Sequence, residues 1–371
     1  MQWKRWALWS IFVALAGCTS DSSTHFPGYG PPADQDFSYD GFQVDTTSGT
    51  TILDSTRVEN PYDLVVSAGR LFVMEQYPPP VLRVFGLGTW QLEAEAGRRG
   101  EGPGEVMVPW RLFAAPNGDP WIFDTRQRRI VRYYRIDDSG ALVPDEETIS
   151  LQSGLPIITV KWLTDTTLVA YGFFDDERFA LFRADGTLLG HFGGVPDWPE
   201  ALPVMLRNQH GEVEIAVHPS RGLFVAATRY GSRIEVLDFS GERRALARTP
   251  FDFRSGVSFA STREGSGLAW GPDMRIGYIG VVATEDRIFA LFSGRTLKLH
   301  GRNAAYGRHV HVFDWDGELR RIIYLDADAF NLAVEPDGSA IYTVDVENTA
   351  VRRYDLSSSG PLAGRSGRPP V

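Results

Sequence analysis

Residues 97–134 read GRRGEGPGEVMVPWRLFAAPNGDPWIFDTRQRRIVRYY, and this stretch decides the fold. Four glycines fall within its first eight positions. A phosphate-binding loop would need Gly-x-x-x-x-Gly-Lys-Ser/Thr, or Gly-x-Gly-x-x-Gly between a strand and a helix. Neither pattern is present, and an apolar, strand-like segment follows Pro109. The glycines therefore predict the tight turns of a connection between two sheets, with Pro109 opening the next strand.

Short apolar segments recur in the same order along most of the chain. Between residues 57 and 356 they are bounded by Gly, Asp and Pro rather than spaced as on helices. Groups of these segments, four in each of the first five, begin near residues 61, 110, 157, 212, 276 and 329, a period of about 50 residues. This period is typical of β-propeller blades, which bury their faces by stacking around an axis. The sequence predicts an all-β, six-bladed propeller with four antiparallel strands per blade.

The sixth group has only three strand-like segments. The segment TTILDSTRV, which ends at Val58, precedes the first group and has strand character. We expect it to pair with the last strand, because closing the ring removes two free sheet edges.

Residues 97–134 resemble an NHL-type propeller repeat. The resemblance rests on Gly102-Pro103-Gly104, Pro109, Pro116-Asn117-Gly118, Trp121 to Asp124, and Arg129-Ile130, with Pro336-Asp337-Gly338 and Asp345 as the echo in the sixth group. The whole chain is similar to bacterial six-bladed propeller lipoproteins of the NHL-repeat-like superfamily. Asp124 and Asp345 match the strand-end Asp of that repeat, and we expect them to hydrogen-bond the following turn.

The amino-terminal residues indicate export. The apolar run WALWSIFVALAGC follows Lys4 and Arg5; it is too short to span a bilayer but suits a signal peptide. Leu15 to Cys18 resembles a lipobox, and Cys18 is the only cysteine. The predicted organisation is a signal peptide over 1–17, a flexible tether over 18–45 that begins at lipidated Cys18, a propeller over 46–356 and a disordered tail over 357–371.

The predicted location is the cell envelope, with the membrane as a partner through Cys18. Thr19, rather than Asp, follows the cysteine, which favours the outer membrane. Ordinary secretion is the alternative, because Ala14-Leu15-Ala16 also fits a small-residue cleavage site.

Composition excludes one class of partner. The formal net charge is -10, which argues against a nucleic-acid binder. No cofactor or metal is predicted either. His309 and His311 fall on one side of a strand, where we expect them to pack between blades. The polar residues of the inner strands form no recognisable set: Asn60, Asp63, Lys161, Glu214 and Asn331.

Loop lengths predict which face of the ring binds a ligand. With strands A to D running from the inside outward, the A–B and C–D turns share one face and are short. The B–C loops and D–A connections share the other face and hold the long segments 97–109, 194–212, 250–275 and 293–308. Long loops in a compact domain tend to carry function.

The segment 293–308 contains four cations and no acid, which favours an anionic ligand. The candidate ligand-binding residues on this face are Arg98, Arg99, Trp198, Arg254, Arg263, Trp270, Arg295, Arg302 and Tyr306. The sequence thus favours a non-catalytic, lipid-anchored binding module for an envelope protein, a peptide or a glycan. A metal-dependent hydrolase or lyase of the gluconolactonase, paraoxonase or NHL-lyase type is the alternative.

Overall fold

The computed structural model describes residues 23–195, 210–262, 265–269 and 271–356. Six sheets of four antiparallel strands form a ring, so the predicted six-bladed β-propeller is confirmed. Within the described ranges, no helix is both long and apolar enough to cross a membrane.

Three strands precede the first blade: β1 (Ser23–Phe26), β2 (Val44–Thr47) and β3 (Thr50–Leu53). Blade one consists of β4 (Pro61–Ser67), β5 (Arg70–Glu75), β6 (Leu82–Gly86) and β7 (Leu92–Ala96). Two short strands, β8 (Arg98–Arg99) and β9 (Glu105–Val106), lead to blade two, which consists of β10 (Pro109–Ala114), β11 (Pro120–Asp124), β12 (Arg129–Ile136) and β13 (Leu142–Ser150). Blade three consists of β14 (Ile157–Thr164), β15 (Thr167–Phe174), β16 (Glu177–Arg183) and β17 (Leu188–Gly194).

Blade four consists of β18 (Val213–Val217), β19 (Leu223–Thr228), β20 (Ile234–Asp238) and β21 (Arg243–Leu246). The hairpin β22 (Val257–Thr262) and β23 (Gly265–Ala269) lies in the connection to blade five. Blade five consists of β24 (Tyr278–Ala283), β25 (Ile288–Phe292), β26 (Gly307–Phe313) and β27 (Leu319–Ala329). Its B–C loop holds helix α1 (Leu297–His300) and a 3₁₀ helix (Gly301–Ala305). Blade six begins with β28 (Leu332–Val334), β29 (Ala340–Asp345) and β30 (Ala350–Asp355).

The core lies between neighbouring blades, because each sheet buries both faces against the next. Phe123 and Ile130 of blade two, for example, belong to the same buried cluster as Val160 and Leu168 of blade three. The A–B turns that join the two innermost strands of each blade are tight, as the A–B turn of blade two illustrates. Gly118 has a φ of 90°, a left-handed value that glycine adopts without steric cost.

Strand β3 completes blade six, as the sequence predicted. It pairs antiparallel with β30, with Thr50 opposite Arg353 and Leu53 opposite Val351. Leu53 is fully buried. The first and last parts of the propeller therefore share one sheet.

Residues 23–47, here called the amino-terminal strap, pack on the ring. Strand β1 pairs antiparallel with β22, and β2 extends blade five by pairing in parallel with β27. The Phe37 ring stacks on Phe251, with 4.2 Å between ring centroids. The tether predicted over 18–45 therefore includes described residues that strand pairing and aromatic packing hold against the ring, from Ser23 onward.

Candidate functional site

The glycine-rich stretch 97–108 is the connection between blades one and two, as predicted. Strand β8 pairs in parallel with β9, and Gly97 and Gly104 have φ values of 85° and 64°. The Glu105 carboxylate accepts a hydrogen bond from the Gly102 backbone N–H at 3.0 Å. The turns consequently satisfy their polar groups internally and form a structural connection.

The two strand-end aspartates hold turns, which confirms their predicted role. Asp124 Oδ1 accepts hydrogen bonds from both backbone N–H groups of 126–127, at 3.0 and 3.2 Å. Its carboxylate also accepts from the N–H groups of 107–108, at 2.6 and 3.2 Å. Asp345 accepts from the Asn348 backbone N–H at 3.1 Å. A buried carboxylate that accepts several N–H bonds fixes the loop around it.

Some predicted residues on the long-loop face can be placed and others cannot. Cys18, Trp198, Arg263 and Trp270 lie outside the described residues. Arg98 and Arg99 are exposed in β8, beside a depression of about 430 Å³ that Arg98 helps to line. The Arg99 guanidinium donates to the Met107 carbonyl, so Arg98 is the freer of the two to meet a ligand.

Arg295 is neutralised by an acid that the sequence argument did not consider. Its guanidinium donates two hydrogen bonds to the Asp328 carboxylate, at 2.9 and 2.7 Å, and Arg308 donates a third at 2.6 Å. Burial alone would raise the pKa of Asp328, but these hydrogen bonds outweigh burial and lower it. Segment 293–308 is therefore not an uncompensated positive loop, because Asp328 comes from the next strand.

The other placed candidates belong to separate parts of the long-loop face. The backbone of Arg254 pairs with Tyr29 of the strap, and its guanidinium lies 5.4 Å from the Tyr29 ring centroid. Arg302 is exposed in the 3₁₀ helix, and Tyr306 packs edge-on against Phe330 at 6.2 Å. Ligand binding by these residues stays a prediction.

His309 and His311 contact the strap. The buried His311 ring is hydrogen-bonded through Nε2 to the Tyr39 hydroxyl at 2.9 Å and through Nδ1 to the Tyr278 hydroxyl at 3.0 Å. The His309 ring stacks on Tyr39 at 3.9 Å. In the described part of the chain, no three His, Cys, Asp or Glu side chains group as a metal site would require.

The central channel contains a cavity of about 450 Å³. All six blades line it, with residues from the segments 63–67, 111–118, 161–163, 214–219, 280–285 and 331–336. The lining includes A–B turn residues such as Pro116, Pro219 and Pro336. The cavity therefore extends toward the short-turn face, opposite the face that the loop lengths favoured. The cavity lies along the axis of the ring, and the lengths of the turns do not predict its volume.

A buried ion pair crosses the channel. Arg111 of blade two donates to Glu214 of blade four, with 3.2 Å between Arg111 Nε and Glu214 Oε2. Arg229 also contacts Glu214, at 3.3 Å. Burial alone would lower the pKa of Arg111, but the charge of Glu214 outweighs it and raises the pKa. Sequence reasoning missed Arg111, although an Arg at an inner-strand position was the available signal.

Asp63 joins three blades beside this pair. Its carboxylate accepts hydrogen bonds from the Leu64 and Leu112 backbone N–H groups, at 2.9 and 2.8 Å, and from Asn331 Nδ2 at 2.8 Å. Burial raises the pKa of Asp63. Four of the five polar residues that looked scattered in the sequence thus meet in the channel, whereas the Asn60 backbone N–H donates to Glu75, which does not line the cavity.

Lys161 is the fourth charged residue deep in the channel, with Asp63, Arg111 and Glu214, and Glu285 of the blade-five A–B turn also lines the cavity. Its ammonium lies 5.3 Å from the Phe113 ring centroid. Among the described residues, no carboxylate oxygen lies within 4.0 Å of it. Burial lowers its pKa, and the charge of Asp63 counteracts this only in part. The channel therefore holds a cation that forms no close ion pair and interacts with Asp63 only over more than 4.0 Å.

A family model described as TolB-like 6-blade propeller-like matches residues 40–337. The chain belongs to this family. No curated protein matches this chain in sequence. Among solved structures, U3-55K is 12% identical with a TM-score of 0.48, covering 80% of this chain and 95% of its own. The WD40 propeller domain of Doa1 is 12% identical with a TM-score of 0.47, covering 86% and 99%. Hydrazine synthase of Kuenenia stuttgartiensis is 11% identical with a TM-score of 0.45, also covering 86% and 99%.

Proposed function

We propose that this TolB-like propeller is an exported, lipid-anchored binding module of the cell envelope that holds a small ligand in its central channel. The observation that supports the channel is the unpaired Lys161 ammonium in a cavity of about 450 Å³. Cavities of this size are typical of small-molecule sites. The ligand is therefore a small molecule, or the end of a peptide or glycan, rather than the surface of a folded protein.

The anchor part of the proposal rests on the lipobox-like residues Leu15 to Cys18. The strap enters the fold at Ser23, where β1 pairs with β22 in the connection between blades four and five. That connection belongs to the long-loop face. The five residues from Cys18 to Ser23 span at most about 18 Å. A lipid on Cys18 would hold the long-loop face close to the membrane and direct the channel mouth away from it.

Metabolic labelling with palmitate tests the anchor. We expect the wild-type protein to incorporate palmitate and fractionate with membranes, and Cys18→Ser to do neither. Labelling of the Cys18→Ser variant, or an unlabelled wild-type protein released after cleavage, would contradict the anchor.

Blocking the channel tests the site. Val282 is half-buried and lines the cavity, so Val282→Phe should reduce the volume available to a ligand. The control is Leu246→Phe, because Leu246 is 47% exposed on an outer strand. We expect compounds found by ligand-observed NMR with the wild-type protein to lose binding in Val282→Phe and keep it in Leu246→Phe. Equal binding to all three proteins would contradict a channel site.

A further inference from the structure

We infer that the channel binds a small monocarboxylate, with its carboxylate on the Lys161 ammonium and its apolar part against the wall of the cavity. This inference rests on the proposed channel site and adds the chemical class of the ligand. Three observations carry it: the pairing of the polar groups, the charge balance and the layering of the inner strands.

The acceptors of Asp63, Glu214 and Asn331 are already occupied. Asp63 accepts from two backbone N–H groups and from Asn331, and the Glu214 carboxylate accepts from Arg111 and Arg229. The Asn331 side-chain oxygen accepts from the Leu332 backbone N–H. A ligand that offers only donors would therefore find the carboxylates on the channel floor engaged.

The polar group that faces the cavity without a carboxylate close to it is a donor. The Lys161 ammonium makes no hydrogen bond and no ion pair within 4.0 Å among the described residues. Trp162 Nε1 and His218 Nε2 also lack partners, but both atoms are enclosed by protein and do not face the cavity. A ligand that supplies an acceptor to Lys161 would satisfy this donor.

The charge balance favours a single negative charge over two. Arg111 is paired with Glu214, so Lys161 is the one channel cation without a carboxylate within 4.0 Å among the lining residues. The formal charges of Asp63, Arg111, Lys161 and Glu214 already sum to zero, so a monocarboxylate on Lys161 adds the smallest negative charge that an anion can bring. A phosphate dianion would bring a second negative charge close to Asp63 and Glu214, with no further cation to compensate it.

The inner strands place an apolar layer next to the charged one. The first layer has one residue from each blade: Asp63, Arg111, Lys161, Glu214, Gly280 and Asn331. Two positions toward the mouth, a second layer also has one from each blade: Val65, Phe113, Leu163, Ala216, Val282 and Ala333. Two residues along a strand span about 6.6 Å. A carboxylate at the floor would therefore leave its hydrocarbon part within the apolar ring.

Octanoate, octanol and octyl phosphate are matched probes, because they share a chain and differ in charge. We expect octanoate to bind most tightly by titration calorimetry, and Lys161→Met to lose at least tenfold in octanoate affinity without weakening octanol. Lys298→Met is the control, because Lys298 is exposed on α1. Equal octanoate affinity in Lys161→Met and wild type would overturn the inference.

Lysine NMR gives a second readout, because the only lysines are Lys4, Lys161 and Lys298. In a protein that begins after Cys18 and carries Lys298→Arg, a ¹³Cε-lysine label reports on Lys161 alone. Octanoate should shift this resonance and octanol should not. Preferential binding of octyl phosphate or octanol, blocked by Val282→Phe, would overturn the carboxylate class and leave the channel site standing. Octanoate binding that Val282→Phe does not affect would overturn both.

Discussion

Substitution of a single charged residue in the channel should change the free energy of unfolding strongly, because the charges there are buried. The side chains of Arg111 and Glu214 are 7% and 9% exposed, so removing one leaves the other without its main compensation. Loss of one partner of a buried pair typically costs 3–5 kcal/mol, whereas replacing both by apolar groups can be nearly neutral.

We therefore expect Arg111→Met to lower the free energy of unfolding by about 3 kcal/mol. The double variant Arg111→Met with Glu214→Leu should recover most of this loss, because Arg229 keeps its contact with Glu212. Denaturant unfolding of the single and double variants measures the coupling. Additive losses would contradict a pair that acts as one unit.

Lys161 should have the opposite effect on stability. Its ammonium is desolvated and forms no close ion pair, although the Phe113 ring and the more distant Asp63 offset part of the cost. We expect Lys161→Met to raise the free energy of unfolding by about 1 kcal/mol, measured in the absence of ligand. A destabilised variant would indicate that the lysine is a structural residue.

Among the elements, the short strand β3 is the one on which closure of the ring depends. It contributes four residues to blade six, and it is separated from its partner β30 by almost the whole chain. Its only fully buried side chain is Leu53, which packs in the cluster between blades six and one.

Leu53→Ala should lower the free energy of unfolding by about 3 kcal/mol, because it leaves a cavity at the closure. Thr51→Ala is the matched control on the same strand, where the side chain is exposed, and should change it by less than about 0.5 kcal/mol. Thermal unfolding followed by circular dichroism compares the two variants. Similar melting temperatures would show that β3 adds little to closure.

The elements of the ring could be predicted from sequence, whereas the strap could not. Turn residues such as Pro116 to Gly118 and strand-end Asp124 act locally, so their spacing revealed the blades. The strap pairs with strands more than 230 residues away, for example Phe26 with Val257, and local pattern does not encode such pairing. One available signal was aromatic: Phe37, Tyr39 and Phe42 are unusual in a disordered linker.

For the molecule as a whole, buried histidines couple stability to pH. Burial lowers the pKa of His210 to about 3 and that of His309 to about 4, and it lowers the pKa of His311 as well. In the unfolded chain these groups titrate near 6.5. The unfolded state therefore binds more protons, and stability falls as the pH drops from about 6.5 toward 4.

His309→Phe should reduce this acid sensitivity, because phenylalanine keeps a ring against Tyr39 but does not titrate. We expect the variant to lose roughly 1–2 kcal/mol less than the wild-type protein between pH 7 and pH 5. Urea unfolding at both values measures the difference, with His25→Phe, at an exposed position, as the control. Parallel losses in wild type and His309→Phe would contradict the assignment.

Only part of the candidate site could be predicted from the sequence. Asp63, Lys161, Glu214 and Asn331 were visible as polar residues on inner strands, but their convergence depends on the ring geometry. Loop length pointed to the opposite face, because it reports tolerance to insertion and not the volume along the axis. The pairing of Arg295 with Asp328 was hidden for a similar reason, since the acid lies outside the loop.

Closure by β3 also sets the order in which the molecule can be completed. Blade six combines residues 50–53 with residues 332–355, so the hydrogen bonds between β3 and β30 cannot form until residues 350–355 have emerged from the ribosome or a translocation channel. Before closure, the blades at the two ends of the open arc each expose an apolar face that the ring later buries, and such surface is prone to association with other chains. Completion is thus a late event that joins strands about 300 residues apart in the sequence.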